Sequence, residues 1–303
     1  MRDVVVSEGA RVVVPRRAAA LACALAASLA AAACTPPAPF PHEALDGLSV
    51  EVYQGRIDWG ERVIELRITN DGEVPLVVTG ANLEAPITAQ NEPKTADRTV
   101  ALRPGITRAM YVRLGVPLCG EIGDGGAHAV LDVETEDGLA ARVEVPAADP
   151  DGYLDRAHSE DCAEQAFAAG ATATFGDDVR IEERDGHLVG GLELTVVPVP
   201  GGPEVSVAEV GGTQLLAPLG GPVWSDPALL DLPDDGARVT LWFTAVRCDQ
   251  HAYADDKRGK FVPIRSVVDG VAEDLFYVHL PQATRRSLGE YFALACGWDV
   301  DLG

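Results

Sequence analysis

The chain is short of positive charge. Its 303 residues carry 24 Lys and Arg against 47 Asp and Glu, a net charge of −23. Only Lys94, Lys257 and Lys260 are lysines; the remaining bases are Arg. So acidic a surface repels phosphate backbones and anionic headgroups, which argues against nucleic-acid binding and against membrane attachment through a basic patch. Methionine is nearly missing. Apart from Met1 there is Met110, too little thioether for a copper(I) site. No C-x-x-C occurs, so thioredoxin-like chemistry and zinc-ribbon spacing are absent. There is no G-x-S-x-G elbow and no phosphate-binding glycine loop. The His residues, at 42, 128, 158, 187, 251 and 279, form no pair at ligand spacing. In "DPDGYLD" at 149–155, Leu154 stands where a calcium-binding loop needs Gly, so the segment reads as an acidic turn. The residues name no catalytic group, no metal set and no cofactor. No βαβ pattern is visible, which disfavours a transporter's solute-binding protein.

Long apolar runs are absent but for one. Arg16 and Arg17 precede an apolar stretch from Ala18 to Ala33, followed by Cys34. This is a secretory leader, too short and Ala-rich for a membrane span. Its small-small-Cys ending resembles a bacterial lipoprotein signal, which implies cleavage before Cys34 and lipid (palmitate) on that residue. The position three before the Cys holds Ala31 where such signals favour Leu, so ordinary signal-peptidase cleavage, giving a soluble secreted chain, stays open. Removing 1–33 takes four Arg and two acidic residues and leaves 20 bases against 45 acids, a net −25. Residues 34–42 contain Pro36, Pro37, Pro39 and Pro41 and read as an extended tether of ~25 Å. The expected location is the outer face of the cytoplasmic membrane, held by lipid alone.

Of six cysteines, Cys23 and Cys34 belong to the leader, leaving Cys119, Cys162, Cys248 and Cys296. Four cysteines in an exported chain read as disulfides with three possible pairings. A repeat chooses among them. "LRPGITRAMYVRLGVPLC" and "LPDDGARVTLWFTAVRC" each run a strand into a Cys. "AVLDVETEDGLAARVEV" and "VPIRSVVDGVAEDLFYVHL" are each a hairpin with Asp-Gly at its turn. "YLDRAHSEDC" and "RRSLGEYFALAC" each close a short helix-like segment on a second Cys. Only 119–162 with 248–296 gives each copy its own bridge. Alternation such as Ile64, Leu66, Ile68 against Glu65, Arg67, Thr69 marks half-buried strands, and Asp-Gly turns mark antiparallel hairpins. The expected fold is all-β: two tandem immunoglobulin-like sandwiches with one disulfide each, at 43–167 and 175–303, joined by a linker at 168–174. Leu288, Tyr291, Phe292 and Ala295 share one face of the helix expected before Cys296. Trp242, on the strand before Cys248, is expected either on the second bridge or as a core aromatic.

The densest chemistry lies in "RCDQHAYADDKRGKF" at 247–261. Asp249, His251, Asp255 and Asp256 are of the types that bind zinc or manganese, but His251 has no i, i+4 partner and Lys257, Arg258 and Lys260 compete for the carboxylates. The stretch Cys248, Asp249, His251, Ala252, Asp255, Asp256, Lys257, Arg258, Gly259, with "ACGW" at 295–298, resembles a family of actinobacterial exported lipoproteins over roughly 239–298. A composition rich in Arg, Ala and Gly and poor in Lys agrees with such a source. The resemblance implies no activity. Two readings follow: a non-enzymatic binding module, anchored by lipid and engaging a protein or glycan partner through the 249–260 loop, or a hydrolase or metal-dependent enzyme using that loop. The leader supplies the first test. Cys34→Ala should abolish lipid modification and release the protein from the membrane fraction, as read by fractionation and mass spectrometry of the mature N-terminus.

Overall fold

A computed structural model describes residues 39–94, 98–120, 125–256 and 259–298. The leader and Cys34 lie outside these residues. The first half contains β1 (Leu48–Tyr53), β2 (Val63–Asn70), β3 (Leu76–Glu84), β4 (Thr88–Ala89), β5 (Glu92–Pro93), β6 (Val100–Leu102), β7 (Ile106–Arg113), β8 (Val116–Pro117), β9 (His128–Thr135) and β10 (Ala140–Ala148). Eight of these run in the order β5-β7-β2-β1-β10-β9-β3-β6, and β4 pairs with β8. All pairings are antiparallel but one: the end of β10 turns from β9 to lie parallel to β1, Val50 opposite Ala147 and Glu51 opposite Ala148. The alternation in the sequence decides which faces meet. Ile64, Leu66 and Ile68 of β2 are fully buried, as are Leu102 and Leu131.

α1 (Tyr153–Gly170) follows, then β11 (Ala171–Arg184), β12 (His187–Pro198), β13 (Val205–Gly211), β14 (Leu216–Pro218), β15 (Val223–Trp224), α2 (Pro227–Leu230), β16 (Ala237–Ala245), α3 (Gln250–Ala254), β17 (Phe261–Val268), β18 (Val271–His279) and α4 (Gln282–Cys296). These strands form two four-stranded sheets, β11-β12-β16-β14 and β15-β13-β17-β18. The halves share an order of pairing: β1-β2-β7 matches β11-β12-β16, and β3-β9-β10 matches β13-β17-β18. The Asp-Gly turn between β17 and β18 has Asp269 and Gly270 both at positive φ, the conformation that matches the twist of a two-residue hairpin. Both bridges are present, Cys119–Cys162 and Cys248–Cys296.

The expected linker at 168–174 is corrected. Residues 168–170 are the last turn of α1 and 171–174 begin β11, so helix passes into strand without a loop. The described residues from His42 to Trp298 fall in one compact unit. The helix is also longer than the segment expected before Cys162; it begins on a turn whose Asp149 carboxylate accepts hydrogen bonds from the Tyr153 and Leu154 N–H groups, at 2.9 and 2.7 Å. That cap satisfies two of the helix's four orphan donors and accounts for "DPDG" without calcium. The first turns of α1 pack on the first half, Tyr153 edge-on to Tyr53 at 5.4 Å. The last turns enter the other core, where Phe167 meets Phe276 at 4.9 Å between ring centres.

α4 covers β11. Its Leu288, Tyr291 and Phe292 are buried and Ala295 packs against them, as the sequence implies. A bulge in β11 between Phe175 and Val179 interrupts the ladder, and α4 satisfies the backbone it frees. Thr284 donates to the Gly176 carbonyl at 2.6 Å, and Ser287 accepts from the Val179 N–H at 2.9 Å.

Trp242 does not reach the bridge. It lies on the outer face of β16 beneath the Arg184 guanidinium, 3.7 Å from the ring centre. Two glycines make room for the β16 aromatics: Gly190 faces Phe243 and Gly191 faces Trp242 across the ladder. A Cβ on Gly190 would lie 2.3 Å from Phe243 Cζ, a clash with a ring that is itself fully buried. Gly190→Ala should therefore destabilise the fold by about 1–3 kcal/mol, the usual range for overpacking, read as a lower urea midpoint at unchanged slope.

Candidate functional site

The described residues of the 249–260 loop, 249–256 and 259–260, form a folded corner. Asp249 caps α3, its carboxylate accepting from the His251 N–H at 2.9 Å. Asp256 accepts from the Gly259 N–H at 2.8 Å, and a Cβ on Gly259 would collide with that carboxylate. Tyr253 holds the corner down. Its ring lies 5.1 Å from Phe292 and 5.5 Å from Trp298, and burial, with the charge of Asp256, pushes its hydroxyl above the usual tyrosine value. His251 and Asp255 are exposed. The Lys260 carbonyl accepts from Leu280, and its ammonium stands 5.3 Å from the Phe261 ring centre. Lys257 and Arg258 lie outside the described residues. Two of the four candidate ligands thus serve their own backbone. Among the described residues, the side chains clustered closely enough to hold a metal are Cys119, His158 and Cys162, and none of them is in this loop.

The structure places a cleft beside that corner, where the two halves meet. One wall comes from the first half. A short 3-10 turn, Trp59–Glu61, ends at Arg62 in the left-handed region (φ 52°). Trp59 is only 8% exposed because it projects into the second half, edge-on to Phe261 at 4.8 Å and to Tyr277 at 4.6 Å. Its Nε1–H donates to Glu160 at 2.9 Å. Arg62 donates to the Leu114 and Gly115 carbonyls at 3.3 and 2.8 Å and pairs with Asp161. α1 supplies Glu160, Asp161 and Glu164, with Phe167 below; β11 contributes Ala171 to Ala173, and β18 contributes Phe276 to His279. The space enclosed is about 500 Å³.

The electrostatics of the cleft are uneven. Asp161 is held above the usual carboxylate value, first by burial, with Arg62 pulling the other way. Glu164 stands at the rim, yet the surrounding protein and then the charge of Asp161 raise it also, again against Arg62. At the opposite wall, desolvation and the charges of Arg285 and Lys260 hold His279 below its ordinary value. On the α1 wall, then, the surroundings disfavour the charged forms of Asp161 and Glu164, and Arg62 offsets part of that cost. A ligand carrying a positive group would favour the charged carboxylates, and the neighbouring rings would accommodate its apolar part.

Sequence reading missed this site. Its aromatic contacts join residues about two hundred positions apart, and its carboxylates sit on a helix whose buried side is largely Ala and Gly. The available signals were Trp59 in a short polar turn and the i, i+4 pair Glu160 and Glu164.

No protein-family model matches the chain, and no curated protein is significantly similar to it. Among solved structures, the YadV chaperone aligns with a TM-score of 0.21 at 11% identity, over 73% of this chain and 94% of that one. The CupB2 chaperone of Pseudomonas aeruginosa gives 0.20 at 13% identity, over 74% and 95%. A protein of unknown function from Porphyromonas gingivalis gives 0.21 at 18% identity, over 72% and 90%. Scores this low carry neither fold nor function to this chain.

The raised carboxyls set a pH dependence. Folded Glu164 keeps its proton to higher pH than the unfolded chain does, so its contribution to stability is favourable at low pH and falls as pH rises through the unfolded and then the folded value. Glu164→Gln should match the wild type near pH 4 and melt higher than it at pH 7.5 by calorimetry, modestly because the side chain is at the rim. An equal shift at both pH values would mean that charge is not the cause.

Proposed function

We propose that the protein is an exported, non-enzymatic binding module, held outside the cytoplasmic membrane by lipid on Cys34, that presents the junction cleft and the adjoining 249–260 corner to a protein or glycan. The observation that carries this reading is the cleft itself: a concave site walled by both halves, with carboxylates on one side, aromatic rings behind, and His279, within the field of Lys260, on the far side. Ligand sites favour such junctions. Asp249 and Asp256 are engaged in shaping their own loop, which removes the specific support for a metal-dependent enzyme there.

Tandem immunoglobulin-like sandwiches describe the architecture best. The support is the repeated order of pairing and the parallel contact of β1 with β10, which lets a first strand close on a last one. The leader supports export, and the Pro-rich segment supports a tether. Fold alone leaves the ligand open, so the reading rests on the site.

The experiment is cross-linking in intact cells with identification of the joined neighbours, comparing wild type with Glu164→Arg at the cleft rim and Lys260→Glu at the corner. Glu164 is exposed, and Lys260 is half-buried with its ammonium near the Phe261 ring, so each variant should keep the native circular dichroism spectrum. The expected result is loss of the same neighbour from both. A full set of neighbours retained by two folded variants would contradict the cleft as the binding face.

A further inference from the structure

The first disulfide has an imidazole beside it. The two sulfurs of Cys119 and Cys162 and a ring nitrogen of His158 all lie within 4.8 Å of one another. His158 and Cys162 are four residues apart on α1, one turn above the other on the same face, and Cys119 arrives from the segment after β8. The His158 Nε2 lies 3.1 Å from the Leu118 carbonyl. A carbonyl can only accept, so Nε2 donates in that contact. A hydrogen bond from a ring nitrogen to a backbone carbonyl fixes the orientation of the ring, as it does in histidines that bind metals. Cys119 is exposed, so a reductant can approach. The second bridge differs: Cys296 ends α4, and four residues before it stands Phe292, not His.

We propose that Cys119, His158 and Cys162 form a redox-gated zinc site. Oxidised, the cysteines staple α1 to the first half. A dithiol reductant opens the bridge by exchange: two electrons pass to the protein sulfurs, the dithiol leaves as its own disulfide, and two protein thiols result. Zinc then displaces their protons, and the two thiolates, the His158 nitrogen and one water complete four-coordination. Two Cys and one His with an open position is a recognised zinc ligand set. The acidic surroundings favour arrival of a dication. The consequence is that α1 stays fastened to the first half in both redox states, by sulfur–sulfur bond in one and by metal in the other. The second bridge has no such substitute.

The test uses the protein reduced with a phosphine and titrated with cobalt(II), a spectroscopic stand-in for zinc. One equivalent should develop a thiolate-to-cobalt absorption band, absent from the oxidised protein. Zinc added to the reduced protein should shield Cys119 and Cys162 from alkylation, while Cys248 and Cys296 label freely in peptide maps. His158→Ala should fold normally when oxidised and bind cobalt about tenfold more weakly or worse when reduced. No cobalt band, equal shielding of both cysteine pairs, or unchanged affinity in His158→Ala would each overturn the proposal. Equal shielding is also what a reduced, unfolded chain would give, so loss of fold counts against the site.

Discussion

The structure depends on α1 belonging to both halves at once. Its first half-length is fixed to the first set of sheets by the Cys119–Cys162 bridge, by Arg156 reaching Gln54 at 2.6 Å and by Arg62 on Asp161. Its last turns put Phe167, 3% exposed, against Phe276 inside the other core. Ser159 adds a 2.7 Å bond to Asp274 of β18. Burying a phenylalanine contributes about 1.5–3 kcal/mol, comparable with the bridge's expected effect and larger than any exposed ion pair here. Because Gly170 runs directly into β11, no flexible residues separate that anchor from the strand it precedes. The cleft exists where it does because Trp59 must follow α1 across the same boundary.

That constraint gives the two halves different edges. In the first, β10 turns at its end to pair with β1. In the second, β11 and β18 are each terminal strands of their own sheets, and both line the cleft next to Phe167. The two halves share a pairing order, and the helix packs in the second where the first closes β10 on β1. The carboxyls of Asp161 and Glu164 are raised by burial at this boundary, with Arg62 opposing the shift in both.

Much of this was legible in the sequence, for definite physical reasons. Strand alternation announced β2, because a half-buried strand must present Ile64, Leu66 and Ile68 to one side. The aromatic face of α4 announced a buried helix. The order of strand, Cys, hairpin, helix and Cys announced both bridges. What stayed hidden was long in range or weak in contrast. α1 buries Ala157, Ala163 and Gly170, so its periodicity is faint and its length was underestimated. The 168–174 stretch looks like a linker because Ala and Gly also compose linkers; here their small size lets the helix end pack tightly, and a Cβ on Gly170 would lie 2.4 Å from Val205. Trp59 against Phe261 is a contact no local pattern can foretell. The loop at 249–260 drew attention by its density of charge, but two of its acids were spent on folding it.

The central claim is that α1 makes the described residues from 42 to 298 one cooperative body. Differential scanning calorimetry of the wild type and Phe167→Ala tests it most directly. Removing a buried phenylalanine costs about 3–5 kcal/mol, and Phe167 is the largest side chain that the helix places in the second core. The account predicts a single transition for the wild type, with calorimetric and van't Hoff enthalpies equal, and two resolved transitions for the variant. Two independent transitions already present in the wild type would contradict it.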